Sequence, residues 1–363
     1  MNHDQQHIRR LIALDRQVAQ LFNDFLNQVA PHLKRIKYGQ RGAWSRNPVI
    51  ERQLDRLLSE FSAKYKNLIQ THMRDSWELS EAKNDSTFMK LLKGTGAILS
   101  AHFLLKTFNR KPPGPGADPV TLANILSQKR NRDAAEAFMK SRLSETISPR
   151  VWNLVGENKR IILETVKSGI LQGRSAAQIS RDLRSLLNNP DKRFRRVRDP
   201  KTGKLKLSKP MASYHPGQGV YRSSYQNALR LARSEINMAY RRADLTRWQQ
   251  NNFILGYEVK RSATEYDCDL CSSLTGKYSK NFMFVGWHPS CRCLAVPILP
   301  NRRQFSSYLE TGDLQARPTR GIPRVAAGYI KKNSEKLLKM SQKPYWLKDN
   351  FTIKGGEFKL NIN

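Results

Sequence analysis

Acidic residues are scarce in this chain: 30 Asp and Glu stand against 64 Lys and Arg, leaving a net charge of +34 over 363 residues. The excess is spread along the whole length, and such a field repels itself unless a polyanion neutralises it. Nucleic acid is the commonest polyanion, because each phosphate met by Lys or Arg releases condensed counterions and supplies affinity without reading sequence. Long apolar runs are missing too. The longest, from Ala97 to Leu105, is broken by His102 and falls far short of the ~20 residues needed to span a bilayer. No terminal stretch shows a clean basic helical face, so no membrane partner is expected. The first residues, Met-Asn-His-Asp-Gln-Gln-His, carry no apolar core or cleavage signal and give no sign of export by the usual route. Paired carboxylates, a nucleophile beside a base and a phosphate-cradling glycine loop are all lacking, so no catalytic residue is nominated and the chain is not expected to be an enzyme. Cysteine occurs at only four positions, all inside one 26-residue window.

The 39% of hydrophobic residues is enough for a buried core in a chain long enough for two or three domains. The fold class expected is mostly α with a small α+β part. Leu11, Leu14, Val18, Leu21 and Phe25 step by three and four, giving a helix with one apolar stripe, which Pro31 is expected to close or kink. A second helix opens at Asn47-Pro48, a cap followed by proline at the first helical position, and carries Leu54, Leu57, Phe61, Tyr65 and Leu68. These stripes make 1–110 a helical N-terminal region. Four prolines between Arg110 and Pro119 exclude helix and central strand there, so 111–144 reads as a linker and a connecting helix near Ala134 to Leu143. Ser148-Pro149 then caps a new helix bearing Val151, Val155, Ile162 and Val166, and Ser175 with Gln178 forms a capping box for a short one.

From Lys192 to Lys209 the character changes. Lys192, Arg193, Arg195, Arg196, Arg198, Lys201, Lys204, Lys206 and Lys209 face the single Asp199, interleaved with apolar residues at period two. Asp199-Pro200-Lys201-Thr202-Gly203 supplies a turn, so the stretch reads as a basic β-hairpin. These nine cations are candidate contacts to double-stranded DNA, through phosphates rather than base edges; a solvated surface ribbon is the alternative. The next helix is the most regular: Tyr225, Leu229, Ala232, Ile236, Ala239 and Ala243 mark its buried face, while Arg233, Asn237 and Arg241 stack on another. Arg233 and Glu235 are two apart and cannot pair with each other, so each is expected to find a partner elsewhere in a structural ion-pair network.

The cysteines form two knuckles, Cys268-x-x-Cys271 and, after sixteen residues, His288-Pro-Ser-Cys291-Arg-Cys293, with Gly276 and Gly286 in the loop between. Zinc takes four N/S ligands tetrahedrally, and this spacing suits it. Five donors compete for four places: Cys268, Cys271 and Cys291, with His288 or Cys293 as the fourth. One or two disulfides are the alternative. Either way the cluster at 268–293 staples a region expected to have little core of its own.

The string Cys268-x-x-Cys271, Leu274-x-Gly276-Lys277, Trp287-His288-Pro289-x-Cys291-Arg292-Cys293 resembles the signature of phage head-morphogenesis proteins related to the F protein of phage Mu. That family carries an Arg-Thr-Glu motif on the preceding helix, which here is Arg233-Ser234-Glu235, followed by Ala239, Ala243 and Trp248. The resemblance extends to Pro149-Arg150-Val151-Trp152 and Gly173-Arg174-Ser175, and to Pro344-Tyr345-Trp346 further on; it covers 145–300 best. It implies a minor structural protein of a tailed phage or prophage that associates with the portal protein and the capsid shell or scaffold during head assembly. Such a protein contacts packaged DNA in the capsid interior of the virion, after assembly in the host cytoplasm. Residues 301–363 then read as a basic, irregular C-terminal extension. A zinc-containing nuclease or nucleic-acid-modifying effector would also explain the charge and the cysteines. It needs a general base near the metal, for which His288 and His215 are the candidates.

Overall fold

The structure is a computed structural model and describes residues 2–34, 48–95, 119–171, 178, 183, 197–198, 205–206, 224–261, 268–311 and 313–361. It is mostly α-helical with a few short antiparallel strands, as the sequence led one to expect. The chain divides into two compact units, the first made of Met1–Ile8, His72–Lys140 and Ser234–Asn363, the second of Arg9–Thr71 and Ser141–Arg233. Among the described residues no helix is long and apolar enough to cross a membrane.

The second unit is a helical core. Helix α1 (His3–Lys34) is capped by Asn2, whose Oδ1 accepts the Asp4 N–H at 3.1 Å, and buries Leu14, Val18, Phe22, Phe25 and Val29, one stripe at helical spacing. Pro31 lies inside this helix rather than ending it. Helix α2 (Pro48–Thr95) begins on its proline as expected; Asn47 lies outside the described residues. Its buried stripe in this unit is Leu54, Leu58, Phe61, Tyr65 and Ile69. Phe22 meets Phe61 edge-on at 5.0 Å, a favoured aromatic geometry, and the buried Tyr65 hydroxyl donates to the Ala228 carbonyl at 2.6 Å.

Ser148-Pro149 does not start a new helix. Helix α3 (Pro119–Arg142) passes through a wide turn, Leu143–Ile147, into helix α4 (Ser148–Leu171). The Ser148 N–H reaches back five residues to the Leu143 carbonyl, with φ −61° and ψ −47°. A capping residue would sit in the extended region. One residue inserted in the ladder accommodates the proline, which has no N–H to give, without breaking the helix. The hairpin is present in outline: β1 (Val197–Arg198) pairs antiparallel with β2 (Leu205–Lys206), Val197 opposite Lys206 and Arg198 opposite Leu205. Most of the short helix expected from Ser175 lies outside the described residues, although Gln178 and Leu183 are helical.

Helix α5 (Ser224–Gln249) is the axis of the first unit over its second half. From Ser234 to Trp248 nearly every side chain is buried, including Ser234, Glu235, Asn237, Arg241, Asp244 and Arg247. A buried polar group without a partner costs a few kcal/mol, and these have partners. Asn237 Oδ1 lies 2.8 Å from His7 Nε2. Asp244 accepts from Ser80 Oγ at 2.9 Å, from Asn84 Nδ2 at 2.8 Å and from Lys83. Arg247 donates to Asp85 at 2.7 Å. These partners stand on α2 or the first turns of α1. Alanines keep the remaining face thin, with Ala239 and Ala243 fully buried.

Beyond α5 the chain forms a three-stranded antiparallel sheet, ordered β4 (Gly276–Tyr278), β3 (Gly256–Lys260), β5 (Leu294–Ile298). Short helices follow: α6 (Asp269–Ser273), which precedes β4, then α7 (Arg302–Thr311), α8 (Arg324–Lys332), α9 (Ser334–Lys339) and α10 (Tyr345–Asn350), and a terminal hairpin of β6 (Phe351–Lys354) and β7 (Glu357–Leu360). Two expectations need correcting here. Most of 302–311 and 324–360 is helical or strand-forming rather than irregular, and Phe305, Tyr308, Ile330, Leu337, Trp346 and Phe351 enter the same core as Cys271, Cys291 and Cys293. The cysteine segment therefore does not lack a core. Tyr257, Tyr278, Phe282, Phe284 and Trp287 around it are each at most 2% exposed, and burial of each such side chain contributes about 1.5–3 kcal/mol. Spacing between cysteines carries no information about the aromatic residues that the later chain brings to them.

Candidate metal centre

The first knuckle is the N-terminus of α6. Cys268 occupies the capping position, extended at φ −133° and ψ 104°, and its Sγ accepts the Cys271 N–H at 3.4 Å. A Cys-x-x-Cys turn of this kind points both sulfurs to one side. The second knuckle is a tight turn before β5: the Cys291 N–H donates to the His288 carbonyl at 3.1 Å, and Ser290 takes a left-handed φ of 59°. Chain turned in this way puts Cys291 and Cys293 on the same side, facing Cys271.

All five predicted donors come together. Their ligand atoms fall into two groups of three, Cys268 with Cys271 and His288, and Cys271 with Cys291 and Cys293, each within 4.8 Å. Cys271 belongs to both. His288 Nε2 lies 3.4 Å from Cys268 Sγ and 3.2 Å from Cys271 Sγ, and Cys271 Sγ lies 4.0 Å from Cys291 Sγ. Around a tetrahedral ion with Zn–S near 2.3 Å and Zn–N near 2.0 Å, the ligand separations are about 3.5–3.8 Å, so each group of three lies near coordination spacing, and a fourth ligand from the other group would close in to complete the shell. The imidazole is oriented for it: Nδ1 sits 2.8 Å from the Pro289 carbonyl, an acceptor, so Nδ1 carries the proton and Nε2 presents its lone pair. No disulfide joins the four cysteines. Cys271, Cys291 and Cys293 are buried, while Cys268 and His288 are half-buried.

Charge in the cluster is arranged by its neighbours. Hydrogen bonds from the Cys271 and Cys293 thiols hold the Cys291 thiol well below its ordinary range, with the Arg241 guanidinium adding to them against the effect of burial. The same bond to Cys291 pushes Cys271 up. A metal replaces that sharing of protons by holding the sulfurs as thiolates.

The second knuckle hangs from α5. Arg241, 7% exposed, donates from Nη1 to the Val285 carbonyl at 3.0 Å and from Nη2 to those of Cys291 at 2.6 Å and Cys293 at 2.9 Å. Its guanidinium also lies over the Phe284 ring, 5.3 Å from the centroid. Seven residues earlier, two turns back on the same face, Ser234 Oγ accepts the Ser290 N–H at 3.2 Å. Gly286 makes room: its φ is +126°, and a Cβ there would come within 2.5 Å of Arg241 Nη1. From the C-terminal side, the buried Asn350 accepts the Met283 N–H at 2.6 Å and donates to the Met283 carbonyl at 2.9 Å. The sequence had placed Arg241 on a polar face of its helix without a role. Nothing in its local pattern points to a loop 44–52 residues further on, and Asn350 carried no signal.

The other site residues are placed as follows. Arg233 makes a two-pronged ion pair with Asp15 of α1, one arm from Nε to Oδ1 at 2.8 Å, within the second unit. Glu235 is fully buried on α5 in the first unit and adds to the forces that raise the Tyr345 phenol, where burial is the main cause. Of the nine hairpin cations, Arg198 and Lys206 stand on the two described strands. Lys192, Arg193, Arg195, Arg196, Lys201, Lys204 and Lys209 lie outside the described residues. Comparison of the chain with family models, with curated proteins and with solved structures finds no match.

Proposed function

We propose that this chain is a minor structural protein of a tailed-phage head, assembling with portal or inner shell and meeting packaged DNA, and that its cysteine cluster holds one structural zinc ion. The observation that carries this reading is the site itself. The residues bearing the resemblance to phage head-morphogenesis proteins, Cys268, Cys271, His288, Cys291 and Cys293, are the ones whose ligand atoms gather at coordination distance. Thiolate and imidazole donors select zinc over harder cations. Five N/S donors are at hand for the four places of a tetrahedral ion, three of them buried cysteines, which favours a structural ion over a hydrolytic one and so the assembly reading over the nuclease. The net charge of +34 supports contact with DNA.

Two measurements test this. Purified virions or procapsids of the parent phage should contain the protein by mass spectrometry, and co-expressed portal protein should co-purify with it. Protein found only free in the cytosol, and absent from assembled heads, would turn the reading towards the nuclease. Elemental analysis of protein prepared under reducing conditions should give about one zinc per chain.

A further inference from the structure

We propose that the helices next to the cysteine cluster form a phosphate-contacting face for double-stranded DNA, separate from the basic hairpin and braced by the metal knuckle. Between Arg317 and Lys343 eight Lys and Arg face the single Glu335, and the structure ties this segment to the sheet and the knuckle helix. The Thr319 N–H bonds the Leu255 carbonyl at 2.6 Å and the Ser279 N–H bonds the Gly321 carbonyl at 3.0 Å, so this segment runs along β3 and β4. Pro323 lies against Gly276, where a Cβ would come within 2.8 Å of its ring. Those contacts run Arg320 and Arg324 along β4, whose own Lys277 is exposed. Helix α8 then packs against the knuckle helix α6, with Ala326 and Ile330 turned into the core. Its outer side carries Arg324, Val325, Ala327, Gly328, Lys331 and Lys332, all exposed, and Lys336 follows on α9.

Among the described residues Lys277, Arg320, Arg324, Lys331, Lys332 and Lys336 have no carboxylate partner. Two acids on the same elements are already taken, Glu258 by Lys260 at 3.1 Å and Glu335 by Lys339 at 2.5 Å. Asp269 of α6 is left against six cations. Small residues at Ala327 and Gly328 let a bulky polyanion approach the helix backbone, and charge complementarity then selects phosphate. The outer side of α8 carries no exposed aromatic ring on which bases could stack, as single-strand binders require, so a duplex read through its backbone is the fitting partner.

The proposal rests on the reading that the chain meets DNA, and the test separates the two. Affinity of the full zinc-loaded chain for a duplex of random sequence is measured from 50 to 200 mM salt. The measurement is repeated with Lys277, Arg320, Arg324, Lys331, Lys332 and Lys336 changed to Gln, and with Arg193, Arg195, Arg196 and Arg198 changed to Gln. Each lost phosphate contact should flatten the slope of log affinity against log salt by about 0.9, so the six-residue variant should lose about 3 or more if at least half of them touch phosphate. Zinc content and thermal midpoint should stay at wild-type values, since all six are exposed, and the same six positions exchanged between Lys and Arg should keep the wild-type slope. Stripping zinc with a chelator should weaken binding by the wild type and have little further effect on the six-residue variant. Wild-type protein without salt-dependent binding would overturn the DNA reading and this face together. Binding lost only in the hairpin variant would overturn the face alone. Loss of binding to anionic lipid vesicles by the six-residue variant, with its DNA slope unchanged, would reassign the face to a membrane and equally overturn the proposal.

Discussion

Replacing Arg241 by Met keeps the bulk of the side chain within the core and removes the five donors of its guanidinium. Three backbone carbonyls, those of Val285, Cys291 and Cys293, then lose a charged donor in a buried setting. Each orphaned acceptor costs about 1–3 kcal/mol. Because three bonds converging on one group are not additive, the total expected is about 3–5 kcal/mol. The loss should divide between two assays. Urea denaturation of the zinc-loaded protein reports global stability, and competition with a chromophoric chelator reports zinc affinity, because a knuckle no longer held in place must be ordered by the metal itself. If 3 kcal/mol of that cost moves to binding, affinity falls by about 150-fold. Arg241→Lys should fall between, since an ammonium keeps the charge but cannot span three carbonyls with one planar fork. A Met variant within about 0.5 kcal/mol of wild type, with unchanged zinc affinity, would refute the reasoning that α5 holds the ligands in place.

Cys271→Ser should empty the metal centre more completely than any other single ligand change, because Cys271 belongs to both ligand groups; zinc per chain checks this, and of His288 and Cys293 the one outside the shell should be replaceable with little loss of metal. Gly286→Ala should destabilise the first unit by about 1–3 kcal/mol or more, from the strained φ alone, and lower zinc affinity through the displaced Arg241; a thermal midpoint equal to wild type would count against the close approach at Gly286. Stability should depend on pH through His7, whose pKa is lowered from 6.5 to about 4, chiefly by burial. The unfolded chain takes up this proton first, so stability present above pH 6.5 is lost as pH falls towards 4, by about 2–3 kcal/mol, and His7→Gln should flatten that limb in denaturation curves taken from pH 4 to 7. Glu81, raised from 4.5 to about 7 mainly by burial, acts in the opposite direction. The folded state holds its proton longer, so its contribution is full below pH 4.5 and is lost as pH rises through 7; Glu81→Gln should steepen the fall in stability on acidification.

Sequence alone determined the local and short-range features. The helical stripes of α1, α2 and α5 follow from apolar residues at steps of three and four, since a helix that buries one side must repeat in that way. Alternation and a turn between Asp199 and Gly203 defined the hairpin, and the donor set of the cluster was legible because metal ligation needs particular side chains at short separations. Where a local rule failed, the rest of the fold had overridden it: the proline after Ser148 is absorbed by a wide turn instead of a break. Only tertiary structure decided what the polar residues of α5 do. Asn237, Arg241 and Asp244 form a polar pattern that a surface helix would also show. They became buried clamps because α2, the start of α1 and the cysteine loop close around them, and a buried donor must find its acceptor wherever the chain brings one. Tertiary structure alone also brought Phe305, Tyr308, Ile330, Leu337, Trp346 and Phe351 to the core around the cysteine cluster. These residues are too thinly spaced to suggest a core by themselves, and they form one only when packed with Phe253, Tyr257, Tyr278, Phe282 and Trp287.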